Sequence, residues 1–172
     1  MSADLSTLSD IGSRRPMFAV WARRVVISLM VVAILTAATG LLGVHSKRVE
    51  ATAGGYTLSV EYAGVARAGL DVPLRIEVAS EHPFGKEITL AVNRGYFTIF
   101  ETQGFHPEPS ASTSQGDDVL LTFDAPPGGG PLIVDYDAYI QPSSQIGSTG
   151  RVSVMRGTGR LVTVEFATFL FP

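Results

Sequence analysis

The chain has 172 residues, no cysteine and a formal net charge of −3. This length favours one globular domain together with its terminal segments. The lack of cysteine excludes disulfides, thiolate-bound zinc or iron–sulfur clusters and a thiol nucleophile. Residues 51–172 carry seven basic and thirteen acidic side chains. Because phosphate binding requires clustered cations, this balance excludes nucleic acid as an expected partner.

A continuous uncharged segment, VVISLMVVAILTAATGLLGV, occupies residues 25–44. Twenty helical residues at about 1.5 Å each span the roughly 30 Å hydrocarbon core of a bilayer. The segment is apolar on every face, whereas a core helix of a soluble domain usually has a polar stripe. It therefore predicts a transmembrane helix, with residues 1–24 as a tail, residues 45–54 as a juxtamembrane linker and membrane lipid as a partner.

Charges on the two sides of this segment predict its orientation. Four arginines precede it, and two of them, Arg23 and Arg24, are adjacent to it, whereas Lys47 and Arg48 follow it. Cytoplasmic flanks of membrane helices carry the excess of arginine and lysine. We therefore expect a single-pass protein of the cell membrane, with its N-terminal tail in the cytoplasm and its C-terminal domain extracytoplasmic.

Two export signals compete with a permanent anchor. Ala51-Thr52-Ala53 matches the small-residue rule for signal-peptide cleavage, and cleavage there would release a secreted domain. This site lies nine residues beyond Val44, a distance that favours the anchor. The sequence SRRPMF at 13–18 resembles a twin-arginine motif, but a second arginine pair follows it at 23–24.

Small residues in the apolar segment suggest a helix-packing face. Ala33, Ala37 and Gly40 follow one another at i, i+4 and i+7, and Thr36 and Gly43 flank Gly40 on a second small face. Such faces allow close approach of another helix. They predict a membrane-protein partner, while the oligomeric state stays open.

Strict alternation of apolar and polar residues replaces the continuous apolar pattern after residue 54, as in strands with one face on a core. Turn-forming stretches separate the runs, and RGTG at 156–159 predicts the turn of a β-hairpin. The alternating runs occupy residues 56–62, 74–78, 88–92, 119–123, 132–140, 152–154 and 161–169, and residues 96–100 form a denser run that is apolar on both faces. They predict an all-β domain over 55–172, an immunoglobulin-like or fibronectin-like sandwich of about eight strands.

The layout of an arginine-rich tail, one helix and a small β domain is accompanied by the segments DVLLTFDAPPGG (118–129), GRVSV (150–154) and TVEFATFLFP (163–172). In these features the chain resembles uncharacterised single-pass membrane proteins of high-GC Gram-positive bacteria with an immunoglobulin-like β-sandwich ectodomain. The resemblance implies a cellular location and a fold, and it implies no activity.

An aromatic cluster is the first candidate binding site. Tyr96, Phe97, Phe100 and Phe105 crowd one short stretch. In a strand, Tyr96 and Phe100 would point to the face opposite Phe97. If one set is exposed, it forms a binding patch for a protein or the membrane. If a loop covers this strand, the whole set belongs to the core, which is the more common place for large apolar side chains.

Acidic residues form the second candidate site. Asp135 and Asp137 share one strand face at i, i+2, and Asp117 is followed directly by Asp118. Such oxygen atoms are suitable ligands for calcium, and they also suit a glycan of the cell envelope. The competing interpretation is a solvated outer strand face. The three histidines lie far apart in the sequence and do not suggest a transition-metal site.

No catalytic motif is present. The chain lacks G-x-S-x-G, and the glycines at 128–130 have neither the following helix nor the basic partner of a phosphate loop. We therefore expect a non-catalytic, membrane-anchored interaction or accessory module with no cofactor and with a membrane-protein or envelope partner. A calcium- or glycan-binding domain is the alternative, and an enzyme is the last choice.

Overall fold

The computed structural model describes residues 17–38, 44–101 and 104–171. The chain divides into two compact units, residues 1–43 and 44–172. The first contains helix α1 (Met17–Ala38), and the second contains twelve described strands and one helical turn. These are β1 (His45–Ala53), β2 (Tyr56–Arg67), β3 (Asp71–Val72), β4 (Leu74–Ser80), β5 (Glu87–Asn93), α2 (Arg94–Phe97), β6 (Phe105–His106), β7 (Ala111–Gln115), β8 (Asp118–Asp124), β9 (Leu132–Tyr136), β10 (Ala138–Tyr139), β11 (Ser148–Arg156) and β12 (Gly159–Phe171).

Helix α1 is long and apolar enough to cross a membrane, and a signal sequence would share these properties. Its 22 residues correspond to about 33 Å at 1.5 Å per residue, and none of them is buried. The helix begins eight residues before the predicted segment 25–44, so that Arg23 and Arg24 lie inside it. Residues 39–43 lie outside the described residues, and Val44 is not helical.

Strand β1 occupies the segment that the sequence pattern predicts as a linker. It pairs antiparallel with β2 along its whole length, and Gly54 and Gly55, with φ of 61° and 78°, form the turn between the two strands. Only Val49 and Ala51 of β1 pack against the core, which is too few residues to give a clear alternation. Residues 45–53 therefore belong to the β domain, which begins at Val44.

The long strand β12 joins the two halves of a ten-stranded sheet. The strand order is β6-β9-β4-β2-β12-β11-β5-β8-β7, with β1 paired to the side of β2. Most of β12 runs antiparallel to β11, whereas residues 169–171 run parallel to residues 65–67 of β2. The short strands β3 and β10 form a separate pair.

One hydrophobic core lies between the two halves of this sheet. Tyr62 of β2 packs on Phe166 of β12 with ring centroids 4.7 Å apart. Phe105 of β6 lies 6.5 Å from Phe123 of β8, although β6 and β8 belong to opposite halves of the strand order. The sheet therefore folds back on itself, and the inward-facing residues of both halves form a single buried cluster.

The mostly β domain after an apolar N-terminal helix confirms the coarse fold prediction. Seven of the eight predicted runs are strands or strand pairs, and the hairpin turn lies at Gly157 and Thr158, between β11 and β12. The run 96–100 is instead the helical turn α2 followed by a single bridge from Phe100 to Ile140. The pattern missed β3 and β6, which have two residues each, and the fully exposed polar strand β7.

Candidate interaction surface

The predicted aromatic site is part of the core and not an exposed patch. Tyr96, in the helical turn α2, and Phe100, which follows it, are 1% and 2% exposed, so both side chains point into the core. Their ring centroids lie 5.3 Å apart, and Tyr96 also packs on Phe166 at 5.0 Å. The Tyr96 hydroxyl forms a hydrogen bond of 2.9 Å with the Thr168 hydroxyl. Burial raises the pKa of Tyr96 to about 12.

The other two aromatic residues lie at the edge of the same core. Phe97 and Phe105 are partly buried and pack against it. Both rings contact Tyr136, at centroid distances of 5.2 Å and 4.7 Å. Most of this aromatic surface is therefore covered by the protein itself, which agrees with the core alternative for these four residues.

Each of the two predicted calcium ligands contacts a different side chain of the protein. Asp135 accepts two hydrogen bonds from Arg75, of 2.6 Å and 3.0 Å. This hydrogen bonding and the carboxylate charge raise the pKa of Arg75. Asp137 follows the end of β9 and lies 3.1 Å from the imidazole of His106. Within the described ranges no group of three or more acidic, histidine or cysteine residues could hold a metal ion.

Asp118 is the centre of an ionic network at the start of β8. Its nearly buried carboxylate accepts hydrogen bonds from Arg151, at 3.1 Å, and from Arg160. The neighbouring Asp117 accepts a hydrogen bond from the Arg94 backbone N–H through its own backbone carbonyl. The network joins β8, β11 and β12, and its contacts explain Asp118 as a structural residue.

The structure describes only some of the residues of the predicted helix-packing face. Ala33 and Ala37 lie on the exposed surface of α1, and the Thr36 hydroxyl donates a 2.8 Å hydrogen bond to the Val32 carbonyl. Gly40 and Gly43 lie outside the described residues.

The most exposed apolar side chains of the β domain lie at the C-terminal end of β12. Ile146, Phe169 and Phe171 are 83%, 58% and 53% exposed, and the two phenylalanine rings are 6.2 Å apart. Ile146 and Phe169 line one open groove of about 530 Å³. Gln145 connects this groove to a second one of about 260 Å³, which Phe171 and Arg67 line. We call Ile146, Phe169 and Phe171 the β12 end surface.

Alternation along β12 explains why these phenylalanines face outward. Val162, Val164 and Phe166 point into the core, together with Thr168 and Leu170. The intervening residues point away from it, and these change from polar Thr163 and Glu165 to the aromatic pair 169 and 171. The sequence contains a signal for the exposed phenylalanines, because only the outward-facing positions of β12 become apolar at the end of the strand. The prediction of 161–169 as one strand does not separate its two faces and therefore misses this signal.

The grooves at the β12 end surface contain a positive side chain although the domain is acidic. The described residues that line the two grooves include one cation, Arg67, and no carboxylate. The described residues contain no ion pair that involves Arg67. An apolar surface beside an unpaired guanidinium is suited to a partner that is both apolar and anionic.

Comparison of the sequence with models of known protein families gave no match, and comparison with curated proteins gave no significant match.

Proposed function

We propose that this chain is a single-pass membrane protein whose β domain is a non-catalytic, extracytoplasmic interaction or accessory module. The pairing of β1 with β2 is the observation that carries the proposal. The candidate cleavage site at 51–53 lies within β1, at the end that turns into β2. Cleavage after Ala53 would remove the whole of β1, together with the packing of Val49 and Ala51 against the core.

Exposure of α1 supports a lipid environment for the helix. Its apolar side chains are between about one third and more than four fifths exposed, and exposed apolar area costs about 25 cal/mol per Å² in water. A bilayer removes this cost, since the helix satisfies its own backbone hydrogen bonds. Arginines before and within the first turns of α1 support the proposed orientation, with the N-terminus in the cytoplasm.

Strand pairing supports an immunoglobulin-like arrangement for the β domain. In that fold one sheet has the order A-B-E-D and the other has G-F-C, extended in variable-type domains. The orders β2-β4-β9-β6 and β12-β11-β5-β8-β7 correspond to these two sheets. The middle of the chain differs, because β6 precedes β7 and β8 in the sequence.

We expect this interaction module to bind a partner in the membrane or in the cell envelope. Calcium or an envelope glycan at Asp135 and Asp137 is the alternative ligand. Calcium would have to compete with Arg75 and His106 for these carboxylates. Calorimetry of the domain with calcium chloride, compared with an Asp135→Asn variant, tests it, and heat that the substitution abolishes is the supporting result.

Two measurements test the anchor and its orientation. We expect the full-length mass in the membrane fraction of untagged cells, resistant to carbonate extraction. A mass beginning near Gly54 in the medium would contradict the anchor. The cysteine-free chain also permits single-cysteine labelling of intact cells with an impermeant maleimide. Ser114→Cys on exposed β7 should react, whereas Ser6→Cys in the tail should react only after lysis. The reverse pattern would overturn the orientation.

A further inference from the structure

We infer that the β12 end surface rests in the headgroup region of the bilayer, with Ile146, Phe169 and Phe171 inserted and Arg67 bound to lipid phosphate. This inference rests on the proposed membrane anchor. It adds a second, direct contact between the protein and lipid, made by the β domain itself.

Strand register places this surface at the end of the domain where the chain enters from α1. His45, the first residue of β1, pairs with Val65 of β2, and Val65 pairs with Phe169 of β12. The three residues therefore lie at the same level across three adjacent strands. Because β12 runs parallel to β2 here, Phe171 lies one step further towards the entry end, beside Arg67.

A short tether keeps this end close to any membrane that holds α1. Five residues, 39–43, separate the last residue of α1 from Val44. The six Cα–Cα steps from Ala38 to Val44 span at most about 22 Å when fully extended. The opposite end of β12, at its hairpin turn, is about 40 Å away along the strand at 3.3 Å per residue. Of the two ends, the entry end is therefore the one that the chain tethers to the bilayer.

The chemistry of the surface matches a bilayer. Phenylalanine and branched apolar side chains insert at the boundary between headgroups and acyl chains. Lipid phosphate supplies an anion for Arg67, since none of the described residues that line its groove carries a carboxylate. Tethering also raises the local concentration of lipid, so that a weak contact is sufficient for stable docking.

A bilayer suits this surface better than a second copy of the chain does. Three exposed apolar side chains form a small patch, whereas stable protein interfaces bury about 800 Å² on each partner. Two copies would also bring two Arg67 guanidinium groups together.

The test uses the full-length chain in vesicles of phosphatidylcholine with phosphatidylglycerol. Single cysteines at positions 146, 158 and 29 carry an environment-sensitive fluorophore. Ile146→Cys probes the β12 end surface, Thr158→Cys probes the opposite hairpin turn, and Leu29→Cys probes α1. Nitroxide-labelled lipids quench fluorophores in the bilayer, and iodide quenches those in water. We expect lipid quenching at 146 and 29 to be at least twice that at 158.

The three probes separate the failure of the inference from the failure of the anchor. Lipid quenching at 29 with iodide quenching at 146 leaves the anchor and overturns the inference. Iodide quenching at 29 overturns the anchor and the inference with it. Protection of position 146 from both quenchers identifies a protein, such as a second copy, as the occupant and overturns the lipid assignment.

Matched variants test the individual contacts. With the probe at 146, the exposed-face substitutions Phe169→Ser and Phe171→Ser together should reduce lipid quenching at least two-fold, whereas Thr163→Ser on the same face should not. Arg67→Glu should remove the increase in quenching that phosphatidylglycerol causes over phosphatidylcholine alone. Unchanged quenching in both variants would overturn the assignment of these residues to lipid.

Discussion

Replacing Tyr96 with phenylalanine removes one hydroxyl from the centre of the β domain, and its effect on stability should change sign with pH. The ring is 1% exposed, so the variant keeps its packing and loses only the 2.9 Å hydrogen bond to Thr168. Near neutral pH such a loss costs about 1 kcal/mol. The variant should therefore be the less stable protein at pH 8.

At high pH, ionisation of Tyr96 adds a second contribution to the free energy of unfolding. Only the unsubstituted protein has this contribution, because the variant lacks the phenol. Burial raises the pKa of Tyr96 from 10.0 to about 12. Between these values the unfolded chain releases the phenolic proton and the folded chain keeps it, so the free energy of unfolding falls as pH rises. The loss is about 1.4 kcal/mol at pH 11 and approaches about 2.7 kcal/mol above pH 12, at 1.36 kcal/mol per pKa unit.

Urea unfolding of the fragment 44–172, followed by far-ultraviolet circular dichroism between pH 8 and 11, measures this difference. Other titrating groups are common to both proteins and cancel. The variant should lose its disadvantage of about 1 kcal/mol and become the slightly more stable protein by pH 11. Thr168→Val serves as a control, because it removes the same hydrogen bond and retains the phenol. It should lower stability at every pH and keep the fall above pH 9. A constant difference between Tyr96→Phe and the unsubstituted protein from pH 8 to 11 would refute the burial argument.

Three further substitutions test the packing and the ion pairs by the same unfolding assay. In Gly150→Ala the new methyl group would collide with the ring of Phe166, and such overpacking should cost about 1–3 kcal/mol. A change within about 0.5 kcal/mol would mean that the ring moves freely. Asp118→Asn removes the anion shared by two arginines and should cost about 1–3 kcal/mol, whereas exposed Asp124→Asn should cost less than about 0.5 kcal/mol; equal effects would contradict a structural role for the network. Asp135→Asn breaks an exposed pair and should lower stability less than Asp118→Asn does, with a smaller effect in high salt; a loss as large as that of Asp118→Asn, unchanged by salt, would contradict its surface character.

Alternation of apolar and polar residues in the sequence predicts those strands that have one face on the core and the other towards solvent. Leu58 and Val60 of β2 are fully buried, so the periodic signal in the residues corresponds directly to the core. The signal fails in β1, where β2 and the core cover only two side chains. It also fails for β7, which is held by pairing to β8 and is exposed along its length. A strand that is held only by backbone pairing shows no alternation of apolar and polar side chains in its sequence.

The aromatic stretch 96–105 is a second region in which the sequence pattern is insufficient. Four large rings within ten residues indicate an unusual environment, but the directions of these rings depend on whether the segment is a strand or a helical turn. Asn93 favours the turn, because its side chain bonds the Thr149 carbonyl and the Arg151 N–H of β11 and fixes the end of β5. These contacts lie 56 and 58 residues apart in the sequence. A local pattern cannot contain them, so the burial of Tyr96 follows from the three-dimensional arrangement.

The pairing of residues 169–171 with β2 has a consequence for the order in which the β domain folds. Strand β2 lies near the start of the domain, and these three residues are about a hundred positions later in the sequence. Among the described strands, the ribosome therefore completes β1 to β11 before the segment that joins the two halves of the sheet. Contacts between such distant segments are intrinsically slow to form. Until β12 has been made, the edges of β2 and β11 that it later covers are open to pairing with other chains.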